Sequence, residues 1–170
     1  MTETLVIRLR ASEEAPASWL IVDGNGARSG PVQSGPVADA LSLAQGRRTV
    51  IVLPATEATL ASLDLPVRGG ARIAQAVPFA LEEQLASDLD TVHFAVGTRT
   101  GAGSGTPVVM IARPVLERWQ SIWEAAGIHP DAAYSESSLI PSAPNACVAI
   151  VSSRPRQASR TLQLDSTGVG

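Results

Sequence analysis

The chain has 170 residues, 45% of them hydrophobic and 17% charged, with a formal net charge of -3; that length makes one domain or two small lobes, burying roughly 70% of the surface its unfolded chain exposes. All thirteen basic residues are arginines, which excludes Schiff-base, phosphate-loop and general-base lysine chemistry. The arginines are scattered and give no basic stripe for nucleic acid.

Leu5, Ile7 and Leu9 alternate with Val6, Arg8 and Arg10, the pattern of a half-buried strand. Residues 13–17 read as loop. Trp19-Leu20-Ile21-Val22 is an apolar run of strand length, and Asp23-Gly24-Asn25-Gly26 after it has the chemistry of a type I′ hairpin turn. The chain then returns through a third strand over residues 28–33. Val37 to Gln45 predicts a short helix, with Pro36 at its opening and Gly46 as its stop. Thr49-Val50-Ile51-Val52-Leu53 reads as the most buried strand, and Ala61, Leu63 and Leu65 mark one face of another, ended by Pro66.

From Gly70 the spacing of Ile73, Val77, Leu81 and Leu85 predicts an amphipathic helix with one apolar stripe. Arg72, Gln75, Glu82 and Glu83 fall at other angles and should meet solvent. Pro78 removes an internal N–H and crowds the carbonyl of Ala74, predicting a kink or a fresh start there. Val92, Phe94 and Val96 then alternate with His93 and Ala95, and the glycine-rich segment 97–105 should join them to an antiparallel strand over Val108 to Ile111. Pro114 opens the cleanest helix, striped by Val115, Leu116, Trp119, Ile122, Trp123 and Ala126, with Gly127 as a left-handed cap. Cys147, the single cysteine, can form no intramolecular disulfide and sits among apolar neighbours, as a buried thiol does. Helices interspersed with strands imply an α/β or mixed α+β fold.

The block from Gln75 to Ala95 combines the pair Pro78-Phe79, the turn Glu82-Glu83-Gln84-Leu85, the acids Asp88 and Asp90, and a strand opening His93-Phe94-Ala95. It resembles the signature segment of the cytoplasmic part of the type II secretion system protein L family. The likeness extends more loosely through Leu53-Pro54 and Leu65-Pro66 toward Pro141. It implies an actin-like or ribonuclease-H-like architecture of mixed sheets flanked by helices. Residues 1–90 are expected as a first lobe, 91–153 as a second, and 154–170 as a flexible or truncated end. The resemblance also implies a non-catalytic assembly domain on the cytoplasmic face of the bacterial inner membrane. Members recruit the secretion ATPase, protein E, and act with the membrane protein M; a homodimer is a further arrangement open to this chain. In that family one membrane helix joins a cytoplasmic to a periplasmic part. No run here approaches the roughly 18 apolar residues of such a helix, and no signal peptide opens the chain, so a soluble fragment of the cytoplasmic part is expected.

An actin-like fold raises a working nucleotide-binding ATPase or kinase-like domain as the alternative. In such ATPases a phosphate-binding hairpin follows the first strand; here that position reads Arg8-Leu9-Arg10-Ala11. Asp23 to Gly26 is explained by its turn, and Gly101-Ala102-Gly103-Ser104-Gly105 lacks the Gly-Lys-Ser/Thr ending of a phosphate loop. Asp23, Asp64 and Glu82 have no metal-site spacing. His93, His129 and one cysteine make no zinc ligand set, and Ser135, Ser137 and Ser138 lie in no nucleophile elbow. No catalytic residue, metal or cofactor is expected. The residues nominated for partner contact are the acids Glu82, Glu83, Asp88 and Asp90, outside the apolar stripe.

Overall fold

The computed structural model describes residues 3–12, 14–65, 70–82, 88–98, 105–140, 146–151 and 160–165, the last two stretches by their backbone. Strands β1 (Thr4–Arg8), β2 (Ala17–Val22), β3 (Gln33–Gly35), β4 (Arg48–Leu53) and β8 (Ala132–Ser135) form a five-stranded sheet in the order β3-β2-β1-β4-β8. The first three run antiparallel, while β1, β4 and β8 are parallel neighbours. A second sheet, β5 (Thr59–Leu63), β7 (Thr106–Ala112) and β6 (Val92–Val96), is antiparallel with β7 in the middle. Among the described residues the α-helices are α1 (Leu41–Ala44), α2 (Gly70–Leu81) and α3 (Arg113–Ala125). The architecture is the mixed α/β class read from the sequence.

Met1–Ser137 form one compact unit and Ser138–Gly170 a second. The lobe boundary expected after residue 90 lies inside the first unit. In the second, β9 (Ala146–Val151) pairs antiparallel with β10 (Arg160–Asp165). Strand β10 lies in the segment expected to be flexible; Leu162 and Leu164 alternate with Thr161 and Gln163, a strand pattern overshadowed by polar flanks. Cys147 sits in β9 opposite Leu164, and its side-chain burial lies outside the described residues.

The five-stranded sheet exists because β4 can be buried from both sides. Its residues Thr49 to Leu53 are all buried, as an apolar, β-branched strand in a parallel setting must be. Ile51 and Leu53 join Leu5, Ile7, Leu9 and Trp19 in a core sealed by Trp119 and Trp123 of α3. The stripe of α3 is as predicted. Its end is a Schellman motif: Gly127 has φ of 73°, its N–H donates to the Glu124 carbonyl at 2.9 Å, and the Ile128 N–H donates to the Trp123 carbonyl at 2.9 Å. The accompanying apolar contact comes from Ile128, fully buried, and Trp123.

Three local expectations change. The hairpin after β2 is not type I′: the left-handed residue is Gly26, with φ of 80°, and the Asp23 carboxylate accepts from the N–H groups of Asn25 and Ala27 at 2.8 and 2.9 Å. That side-chain capture favours a longer loop closed by a left-handed glycine. The returning strand is only Gln33–Gly35, preceded by an isolated bridge between Val22 and Arg28; Gly30, with φ of 100°, and Pro31, which has no N–H to donate, interrupt the ladder. Finally, of the kink or fresh start expected at Pro78, the fresh start is removed, because α2 runs through it as one element.

Replacing Gly127 with Ala forces a Cβ into the left-handed region and should destabilise the chain by about 1–2 kcal/mol. Trp119→Ala should cost about 3–5 kcal/mol. Urea denaturation followed by tryptophan fluorescence and circular dichroism checks both.

Candidate functional site

Helix α2 carries two opposed faces. Val77 and Leu81 are buried, with 0% and 1% exposure, and pack with half-buried Ile73 against Leu63, Leu65, Val92, Val108 and Met110 of the second sheet. Leu85, the last residue of the expected stripe, lies outside the described residues. Phe79 falls about 200° around the helix from Val77, and it is 73% exposed, the most exposed large hydrophobic side chain among the described residues. Gln75 and Glu82, four and three residues away, are exposed on the same side.

Glu82 follows the last turn of α2, where its charge adds to the negative end of the helix dipole. Strand β6, on which α2 packs, comes next among the strands in chain order. Just before β6, the Asp88 carbonyl accepts the N–H and hydroxyl of Thr91 at 2.9 and 2.7 Å. The Asp90 carbonyl accepts Nε of Arg113 at 2.8 Å. Backbone oxygens thus take these bonds, and both carboxylates stay exposed. Among the described residues, Glu82, Asp88 and Asp90 make no ion pair. Glu83 lies outside them.

Sequence reasoning missed Phe79 as a surface residue. The signal was present: two residues past Val77 is the far side of a helix.

The other candidates do not converge. Asp23 is engaged by its own turn, Asp64 and His129 are exposed, and His93 is half-buried opposite Ile111 on β7. The Ser135 and Ser137 hydroxyls bond one another at 2.7 Å with no histidine beside them in the sequence. Among the described residues no three His, Cys, Asp or Glu side chains gather as metal ligands. After β1 the chain makes no glycine hairpin: the Leu9 N–H continues the ladder to the Val52 carbonyl at 2.9 Å, and Arg8 pairs with Glu136.

Residues 5–154 match the family model described as type II secretion system (T2SS), protein L. The chain belongs to the protein L family. Protein L of Dickeya chrysanthemi is 29% identical over 151 residues, which cover 87% of this chain and 37% of that relative. This protein L chain therefore spans well under half the length of that relative. Among solved structures it is similar to the cytoplasmic domain of EpsL, described as an inner membrane component of the type II secretion system of Vibrio cholerae. The TM-score is 0.66 at 23% identity, over 96% of this chain and 71% of the other. The PilM-PilN type IV pilus biogenesis complex gives a TM-score of 0.55 at 16% identity, over 79% and 47%. These likenesses establish a shared fold. Among the described residues no helix is long and apolar enough to cross a membrane.

The two faces of α2 separate stability from surface chemistry. Val77→Ala should destabilise this protein L chain by about 2 kcal/mol, whereas Phe79→Ala should leave stability within about 0.5 kcal/mol. Paired thermal and urea melts distinguish them.

Proposed function

We propose that this chain is a non-catalytic assembly domain of the type II secretion inner-membrane platform. On the cytoplasmic face it docks the secretion ATPase, protein E, and acts with protein M. The observation that carries this reading is Phe79, an exposed aromatic ring with Glu82 beside it on the signature helix of a protein L family member. Aromatic anchors dominate binding energy at protein interfaces when they enter a pocket on the partner. The acids Glu82, Glu83, Asp88 and Asp90 supply a charged rim, which sets approach and register more than affinity. In this reading the ATPase's N-terminal domain presents an apolar pocket ringed by basic side chains, and nucleotide hydrolysis there is passed on through the rest of the platform. The working-ATPase alternative gains nothing from the strand end where a phosphate loop would lie, because Arg8 and Arg10 stand there without a glycine hairpin.

Calorimetric titration with the purified N-terminal domain of the matching ATPase tests the reading. Phe79→Ala should weaken binding about tenfold or more. A Glu82→Arg and Glu83→Arg double variant should slow association several-fold, roughly, and flatten its salt dependence. No binding of the unaltered chain at tens of micromolar, or unchanged affinity in Phe79→Ala, overturns it.

A further inference from the structure

Strands β1, β4 and β8 run parallel, so their carboxyl ends share one edge of the sheet. In open α/β sheets that edge is where ligands bind. Here β1 ends at Arg8 and continues to Leu9 and Arg10, while β8 ends at Ser135 and leads into Glu136. Nη2 of Arg8 pairs with Oε1 of Glu136, and these side chains are only 23% and 16% exposed. Arg10 is half-buried and has no hydrogen-bond or ion-pair acceptor among the described residues. Burial first, and the like charge of Arg8 second, push its guanidinium below the ordinary arginine value, with Glu136 opposing them.

The local count is therefore two guanidiniums against one carboxylate, a surplus of one positive charge at this edge of the sheet. A partly desolvated cation that must share its one nearby counter-charge with a second cation gains little to offset the loss of hydration. Residues that oppose stability without a structural return are expected at binding sites.

The chemistry of the edge selects the anion. A single negative charge balances it. No glycine-rich loop follows β1, where the residues are Ala11 and Ser12. The two helical turns next to β4 and β8, Ala55–Glu57 and Glu136–Leu139, are one turn long and carry acids in that turn, so neither offers the helix N-terminus that favours a phosphate. A planar carboxylate matches the guanidinium fork in both shape and charge. We propose that Arg10, set against the Arg8–Glu136 pair, is a docking point for one carboxylate side chain, aspartate or glutamate, presented by another protein. It lies on the first sheet, apart from the α2 face, and does not depend on which protein that face binds.

Nuclear magnetic resonance of the full chain tests this by following arginine Nε–Hε signals during titration with the peptide acetyl-Glu-Glu-Glu-Glu-amide at about 50 mM salt. The Arg10 signal should shift saturably. Arg10→Gln should weaken peptide binding about fivefold or more, and Arg10→Lys should recover only part of it because it keeps charge without the fork. Inorganic phosphate at equal concentration should move the Arg10 signal less. A stronger response to phosphate, no Arg10 shift with the peptide, or unchanged affinity in Arg10→Gln each overturns the proposal. Without any ligand, Arg10→Gln should raise Tm by about 2 °C; a fall would mean that Arg10 already has its partner within the fold, and would overturn it as well.

Discussion

The first unit depends on the burial of β4. With Thr49 to Leu53 all inside, the strand must have a neighbour on each edge to satisfy its amide groups and a covering on its faces to exclude water. β1 supplies one edge and β8 the other. The β8 contact is clamped where it starts: the Thr49 N–H donates to Oδ2 of Asp131 at 2.7 Å, and the Asp131 N–H donates to the Thr49 carbonyl at 2.8 Å. That reciprocal pair sets the register of Val50 against Ala132 and brings Glu136 to the end of β1. A hydrogen-bonded pair at one end of two strands thereby decides which charges meet at the other.

Much of this was legible in the chain because local periodicity is a local property. The alternation of Leu5, Ile7 and Leu9, the apolar run of β4, and the stripe of α3 with its glycine cap each lie within a few residues, and each was formed as read. What local pattern cannot encode is which strand lies beside which. Nothing near Ala132 to Ser135 says that these residues complete a sheet begun at Thr4, and Arg8 gives no sign that Glu136 is its partner. Asp23 and Pro31 show a subtler limit: a side chain capturing backbone N–H groups and a missing donor changed a hairpin whose composition suited a tighter turn.

The candidate surface was half legible. The Gln75 to Ala95 block identified the family, and Glu82, Asp88 and Asp90 are exposed as their charge required. Phe79 was obscured by chemistry: an aromatic beside the apolar stripe reads as core until its angle from Val77 is counted. Both proposed contact points share a physical character. An exposed ring and a half-buried cation without an acceptor each leave free energy unrealised in the isolated chain, and a partner that covers the ring or neutralises the charge would recover it.

The parallel arrangement of β1, β4 and β8 also bears on the order in which the chain can be assembled. During synthesis β1 to β4 emerge first, yet the strand that closes the outer edge of β4 follows the whole of the second sheet and α3. Until Ala132–Ser135 leave the ribosome, a largely apolar strand has one row of amide and carbonyl groups without its native mate. Such an edge is a template for pairing with any extended segment nearby, and long-range closure of this kind is slow. For these strands the hazardous interval therefore runs from the emergence of β4 to that of β8, and its length is set by how fast residues 54–131 are made and packed.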